Sequence, residues 1–171
     1  MESQDFKLHE AIKTIMANEP DPEKGLSEEV FLMASRLIPL VNTDLLVRDD
    51  TGRILLAWRN DRWWGKGWHV PGGVLRLNET LEERIMKTAE SELHTRVTFA
   101  ESPLEIRPII AKQFDARSHH ITLTYDCKVP NDYIINNGGL SNTDDGYLAW
   151  HDSFPENMLV CHEFYHKYFK Q

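Results

Sequence analysis

One stretch, residues 65–93, constrains this chain more than any other. An aromatic and glycine-rich run, Trp63-Trp64-Gly65-Lys66-Gly67-Trp68, leads through Pro71-Gly72-Gly73 into a segment with a helical signature. Thr80 and Glu83 are spaced as a capping box. Leu81, Ile85, Ala89 and Leu93 recur every fourth residue and mark a core face. The spacing predicts a helix over 80–93. Glycines let a backbone approach a phosphate or a metal closely. Carboxylates on a rigid helix suit Mg²⁺, a hard cation that keeps waters for phosphate oxygens to replace. By spacing alone, the same stretch reads sooner as a solvated acidic helix after a glycine loop.

The flanking segments suggest the layers around it. Leu8, Ala11, Ile12, Ile15 and Met16 predict an amphipathic helix over 6–18. Residues 19–25, with two prolines and a glycine, break it. Ser27 is a candidate N-cap for a second helix that buries Val30, Phe31, Ala34 and Leu37 and stops near Pro39. Apolar runs at 40–48 and 53–59 flank Asp49-Asp50-Thr51-Gly52 and read as a β-hairpin. Residues 68–70 read as a short extended piece, and Pro71-Gly72-Gly73 as irregular structure. Further strands are expected at 106–111, 121–129 and 147–150, then a terminal helix carrying Phe164, Tyr165, Tyr168 and Phe169. The order of elements implies an α/β layered domain over 37–171 with a helical extension over 1–36.

Composition narrows the partners. The 171 residues carry 19 Lys and Arg against 27 Asp and Glu, a net charge of −8. That balance excludes a dedicated nucleic-acid platform. No stretch approaches the roughly 18 apolar residues of a membrane span. The first residues lack the basic and apolar regions of a signal peptide. Cys127 and Cys161 make no disulfide framework. These features predict a cytoplasmic protein, and one that must offset its own charge locally to handle phosphates. His162-Glu163-Phe164-Tyr165-His166 matches a zinc-protease string, but only five residues follow to supply a third ligand, and the aromatic surroundings favour packing.

Gly73, five residues, Glu79, seven residues and then Lys87-Thr-Ala-Glu-Ser-Glu92 resemble the Nudix box, and Trp68-His-Val-Pro-Gly-Gly73 is similar to the run that precedes it. Where that box has Arg-Glu, this chain has Lys87-Thr88; the Glu-Glu pair falls on Ser91-Glu92, and its glycine on His94. GDP-mannose mannosyl hydrolases depart from the box in nearly the same way. Pro39-Leu-Val-Asn-Thr-Asp44, Gly52-Arg-Ile-Leu-Leu56, Arg59-Asn-Asp-Arg62 and Asn78-Glu-Thr-Leu-Glu82 also read like that branch, across roughly residues 30 to 155. The resemblance implies a Nudix α/β/α sandwich with a mixed sheet.

It also implies roles. Glu92 matches the retained Mg²⁺ ligand, with a carbonyl of Gly72 or Gly73 as a second oxygen. Glu79 matches a position that is usually structural, with an outer-shell metal ligand as the alternative. Arg59 and Arg62 match arginines that face the diphosphate; Val74 stands where the branch has another arginine, and Arg76 lies two residues on. Asp44 matches an aspartate near the sugar and base pocket, and His119 a histidine before a strand, with His120 adjacent. The late-loop positions of the general base and a further metal ligand fall on Asp145 and Asp144. Trp58, Trp63 and Trp64 are candidates to stack a nucleobase. The function implied is Mg²⁺-dependent hydrolysis of a GDP-mannose-like nucleoside diphosphate sugar by a homodimer, with water attacking the sugar carbon. The alternatives are pyrophosphohydrolase chemistry on an ADP-ribose-like substrate and a non-catalytic nucleotide-binding module.

Overall fold

The computed structural model describes residues 4–19 and 21–170. Pro20, part of the expected helix break, and the first three residues lie outside them. In chain order, helices α1 (Gln4–Asn18) and α2 (Glu28–Leu37) precede strands β1 (Leu40–Val47), β2 (Ile54–Asp61), β3 (Gly65–His69) and β4 (Gly72–Val74). Helix α3 (Leu81–Thr88) follows, and then β5 (Thr98–Phe99), β6 (Glu105–Ile110), β7 (His119–Lys128) and β8 (Leu148–His151). A 3₁₀ segment, Val160–Tyr168, packs on the far side.

Two sheets form. One runs β4-β1-β7-β5, with β6 also on β7; the other runs β3-β2-β8. β1 pairs parallel with β7 and antiparallel with β4, so the first sheet is mixed. The expected hairpin of β1 and β2 does not form. Their backbones pair only through an isolated bridge, Arg48 to Ile54, just past the end of β1, and the strands belong to different sheets. The physical reason is in their composition. Leu45, Leu46 and Val47 are all fully buried, as are Ile54, Leu55 and Leu56. Unbroken apolar runs are covered on both faces, which a two-stranded ribbon cannot provide. The turn signal between them is real: Asp49 Oδ1 accepts the N–H of Thr51 at 3.0 Å and of Arg53 at 2.9 Å.

The core divides across these strands. Leu45, Val47, Leu55 and Ala57 pack with Ile85, Ala89 and Leu93 of the box helix and its last turn. Leu46, Ile54 and Leu56 face the other way and meet Tyr165 and Phe169 of the tail. The tail therefore buries aromatics as expected, but it is 3₁₀ rather than α-helical. At three residues per turn His162 and His166 do not share a face, and His166 packs on Phe154, with ring centroids 5.1 Å apart. The zinc-protease string is a packing motif.

Three local expectations change. Pro71-Gly-Gly is not irregular, because Gly72-Gly73-Val74 pairs with β1. Leu37 is exposed rather than buried, and α2 buries Ser35 instead. Ser27 stands at the N-cap, but its hydroxyl bonds Glu19. The capping box at Thr80 and Glu83 forms, and α3 then continues as a single π turn, Ala89–Leu93. His94 ends that turn at φ 56°, the left-handed conformation for which a glycine is usually chosen.

Glu79 anchors the loop that launches α3. Its side chain is 3% exposed, with Oε1 2.9 Å from Lys87 Nζ and Oε2 3.6 Å from Arg84 Nη1. Oε2 also accepts the Arg76 N–H at 3.0 Å. Burial alone would raise the Glu79 pKa; the Lys87 and Arg76 hydrogen bonds outweigh it and hold the carboxyl below its ordinary 4.5. A depressed folded value means that the stabilisation is complete above 4.5 and is lost as pH falls through the folded value. We expect Glu79→Gln to cost about 1–3 kcal/mol at neutral pH. In urea titrations, its stability should fall less steeply than the parent's as the pH drops below 4.5.

Candidate active site

The site lies where β4 is wedged between β1 and α3. Glycine is required at both positions of the wedge. A Cβ on Gly72 would stand 2.2 Å from Asp44 Oδ1, and one on Gly73 would stand 2.6 Å from Thr88 Oγ1. Leu45 N–H bonds the Pro71 carbonyl and Leu75 N–H bonds the Val41 carbonyl. Thr43 is registered on Gly73. Antiparallel alternation therefore turns the polar groups of 71, 73 and 75 toward β1 and those of Gly72 away from it. The Gly72 N–H helps to lower the pKa of the Glu92 carboxylate. The Gly72 carbonyl is free of the ladder, whereas the Gly73 carbonyl is engaged on the Thr43 side, with Thr43 Oγ1 at 3.4 Å.

Beside this wedge lies a cavity of about 140 Å³, lined by Asp44, Arg59, His69, Arg117, His120 and His162 among others. Glu92 adjoins it, with Oε2 3.9 Å from His69 Nε2. Asp44 is buried on β1 and accepts hydrogen bonds from Tyr165 Oη at 2.7 Å and Asn42 Nδ2 at 2.5 Å. Loss of water pushes its pKa up to about 7, against the pull of those bonds and of Arg59. Burial also raises Glu92 to about 7; Arg59 opposes the shift, while Asp44 and Asp145 add repulsion. Arg59 is thus the counter-charge that buried Asp44 and half-buried Glu92 share.

Three histidines line the cavity in the neutral form. Burial drives His162 down to about 3 and His120 down to about 4. His69 also lies well below its usual value, for the same cause. His162 Nδ1 accepts the Val70 N–H at 3.0 Å, so its proton sits on Nε2. His69 Nε2 lies 3.5 Å from Arg59 Nη2, and a guanidinium only donates, so that nitrogen is the acceptor.

The sequence-chosen residues separate. Asp44, Arg59, Gly72, Gly73 and Glu92 come together. His119 is not among the cavity-lining residues; its neighbour His120 is. Arg62 pairs with Glu28 of α2 and lies over the Trp63 ring. Arg76 lies against Gly25, within the apolar groove under α2. Asp144 accepts the Ser141 N–H at 2.7 Å and serves its own turn. Asp145 Oδ1 accepts the Asn60 N–H at 2.9 Å, which ties it to the end of β2. Of the three tryptophans, Trp64 lines the cavity. Arg117 and His162 were missed. The first sits in a loop with no motif, and the second was hidden in the protease string.

The donor set fits a hard cation. Glu92 and the Gly72 carbonyl are oxygens, and Asp44 and Glu92 repel each other across the site. Thr88 Oγ1, where the box usually carries a carboxylate, is buried with no hydrogen-bond partner. Among the described residues no group of three or more His, Cys, Asp or Glu is arranged to hold a metal ion by itself. Such a set suits an ion that takes most of its ligands from water and phosphate, as Mg²⁺ does.

The NUDIX domain family model matches residues 39–168. Low-salt glycan biosynthesis protein Agl8 of Haloferax volcanii is 33% identical over 99 residues, covering 52% of this chain and 62% of that protein. The chain thus matches less than two thirds of that relative's length. A MutT NUDIX hydrolase from Burkholderia pseudomallei superposes with a TM-score of 0.59 at 20% identity, covering 78% of this chain and 99% of that one. A UDP-X diphosphatase superposes at 0.51 with 18% identity, covering 94% of this chain and 77% of that one. These structures share the fold. No helix among the described residues is long and apolar enough to cross a membrane.

The wedge gives a direct test. Gly72→Ala drives a methyl group into Asp44 and should cost about 1–3 kcal/mol in urea unfolding through overpacking. Alanine at the open Gly138 has nothing within 4 Å to meet, so any loss there reflects only its positive φ.

Proposed function

The chain belongs to the NUDIX family, and from that premise we propose that it is a Mg²⁺-dependent hydrolase of a nucleoside diphosphate sugar. In this reading water attacks the sugar carbon and the nucleoside diphosphate leaves. The observation that carries it is the state of the box. Of the box positions matched to metal ligands, Glu92 keeps a carboxylate and accepts the Gly72 N–H, and Thr88 occupies the place of a second against Gly73. Phosphorus-directed chemistry in this family normally draws on more box acids. Attack at carbon needs the cation chiefly to make the diphosphate a good leaving group. The name of the Haloferax relative, a glycan biosynthesis protein, agrees with a sugar nucleotide.

Glu92 and the Gly72 carbonyl would hold Mg²⁺, which when bound supplies charge neutralisation at the diphosphate. Arg59 adds a forked, permanently charged donor to the same oxygens. His162, with its proton fixed on Nε2, donates a hydrogen bond and does not serve as the base. Asp145 takes the proton from the attacking water in this scheme: the Asn60 N–H holds its carboxylate, and its charge is felt at Glu92. Asp44 is buried and bonded to Tyr165, and in this reading it meets the sugar and base end of the substrate. A homodimer and a cytoplasmic setting remain part of the proposal.

Hydrolysis in ¹⁸O water should place the label in the sugar. Label in a phosphate overturns attack at carbon and favours the pyrophosphohydrolase reading. No turnover of any nucleotide sugar would favour a binding module. Glu92→Gln should lower kcat by about 10²–10³-fold. Asp145→Asn should lower it by about 10²–10⁴-fold with KM little changed.

A further inference from the structure

Arg117 is the least expected occupant of the cavity. Its backbone has φ 54°, a left-handed conformation that costs a non-glycine residue. Its guanidinium lines the cavity alongside Arg59. Its Nε is buried with no hydrogen-bond partner among the described residues. A buried donor without an acceptor is a standing cost of about 1–3 kcal/mol. Two guanidinium groups facing one small cavity also repel. Burial and then the nearby Arg59 hold the Arg117 pKa below its ordinary value, against the opposing pull of Asp61 and Glu28. An anion with several oxygens, meeting both guanidinium groups from the cavity, would remove the repulsion.

The conformation is imposed from outside the sheets. Arg117 N–H donates to Ser35 Oγ at 3.0 Å, and Ser35 is itself buried on α2. The Ser35 hydroxyl donates in turn to the Leu32 carbonyl at 2.8 Å, which fixes its lone pairs toward Arg117. Arg117 Cζ lies 5.8 Å from the centroid of the Phe31 ring. Arg36 Nη2 grips Asp115 Oδ2 at 2.8 Å, two residues before Arg117. Glu28 at the start of the same helix holds Arg62, at the end of β2. Successive turns of α2 therefore seize the loop that carries Arg117 and tie to the strand that carries Arg59.

We propose that Arg117 is a second diphosphate-binding residue, opposed to Arg59 across the cavity, and that α2 of the N-terminal extension is its positioning element. The ligand class is a pyrophosphate linkage, whose two phosphoryl groups can each meet one guanidinium fork. The inference rests on the diphosphate-hydrolase reading above. It makes the extension a working part of the site and not an appendage.

The position of Arg117 in φ space supplies a clean experiment. Glycine is at ease at φ 54°, so Arg117→Gly removes the guanidinium while relieving the backbone. Inorganic pyrophosphate with Mg²⁺ is titrated calorimetrically into the parent, Arg117→Gly, Phe31→Ala and Arg59→Ala, each scored on its folded fraction. The proposal expects Arg117→Gly to weaken pyrophosphate binding by about tenfold or more. Phe31→Ala, which touches no ligand, should weaken it several-fold in the same direction. Arg117→Lys, which keeps the charge and loses the fork, should recover part of the loss. Unchanged affinity in Arg117→Gly, with Arg59→Ala weakened, overturns this proposal and leaves the functional reading standing. So does a loss in Arg117→Gly that Phe31→Ala does not share, as far as α2 is concerned. A parent chain that binds no pyrophosphate removes the functional reading itself.

Discussion

The near-contact of Gly72 with Asp44 is the constraint on which the site depends. Two strands and a helix meet there at a spacing that leaves no room for a methyl group. Because β4 pairs antiparallel with β1 in the register that bonds 71, 73 and 75 to it, the polar groups of Gly72 face outward, toward Glu92. Because Gly73 has no side chain, α3 settles with Thr88 against the strand. The last carboxylate of the box is then one turn along on the same side. Glu79, with its three partners, sets the angle at which the helix leaves the loop. The placement of Glu92 beside the Gly72 peptide is a by-product of close packing.

The electrostatics follow from the same crowding. Asp44 and Glu92 are both buried far enough to lift their pKa values to about 7. In a chain of net charge −8 that is a site short of positive charge. The fold answers with Arg59, and brings in Arg117 from a loop outside the box. The acidic total of the chain therefore says little about the cavity, where the balance is decided by four or five groups and their distance from water.

Much of this was legible in the sequence, for definable reasons. The box helix announced itself through the capping box and a four-residue repeat, and both are local signals. The glycine pair and Glu92 were legible only through the resemblance to the box, because by spacing alone the stretch reads as a solvated acidic helix after a glycine loop. Strand partners were not. An apolar run shows that a strand is covered on both faces, but not by what, so β1 and β2 were read as a hairpin. Arg117 was invisible because its importance is conferred by α2, some 80 residues earlier, through Ser35 and Phe31. His162 was disguised by a string whose meaning depends on helix type: in an α-helix it pairs with His166, and in the 3₁₀ segment it turns to Val70. The arginine of Arg59-Asn-Asp-Arg62 that enters the cavity and the one that holds a helix look alike until the strand end is built.

The parallel pairing of β1 with β7 has a further consequence, one of timing. It joins residues as distant in the chain as Leu40 and His120. Closing so long a loop must precede the contacts that reward it. The β2–β3 ribbon and the box helix are local and can form without it. Asp44 acquires its buried partners only when β1 has found β7 and the tail has laid Tyr165 over both. The cavity is consequently assembled from the slowest contacts in the molecule. Its integrity reports on the completeness of folding more strictly than helix content does.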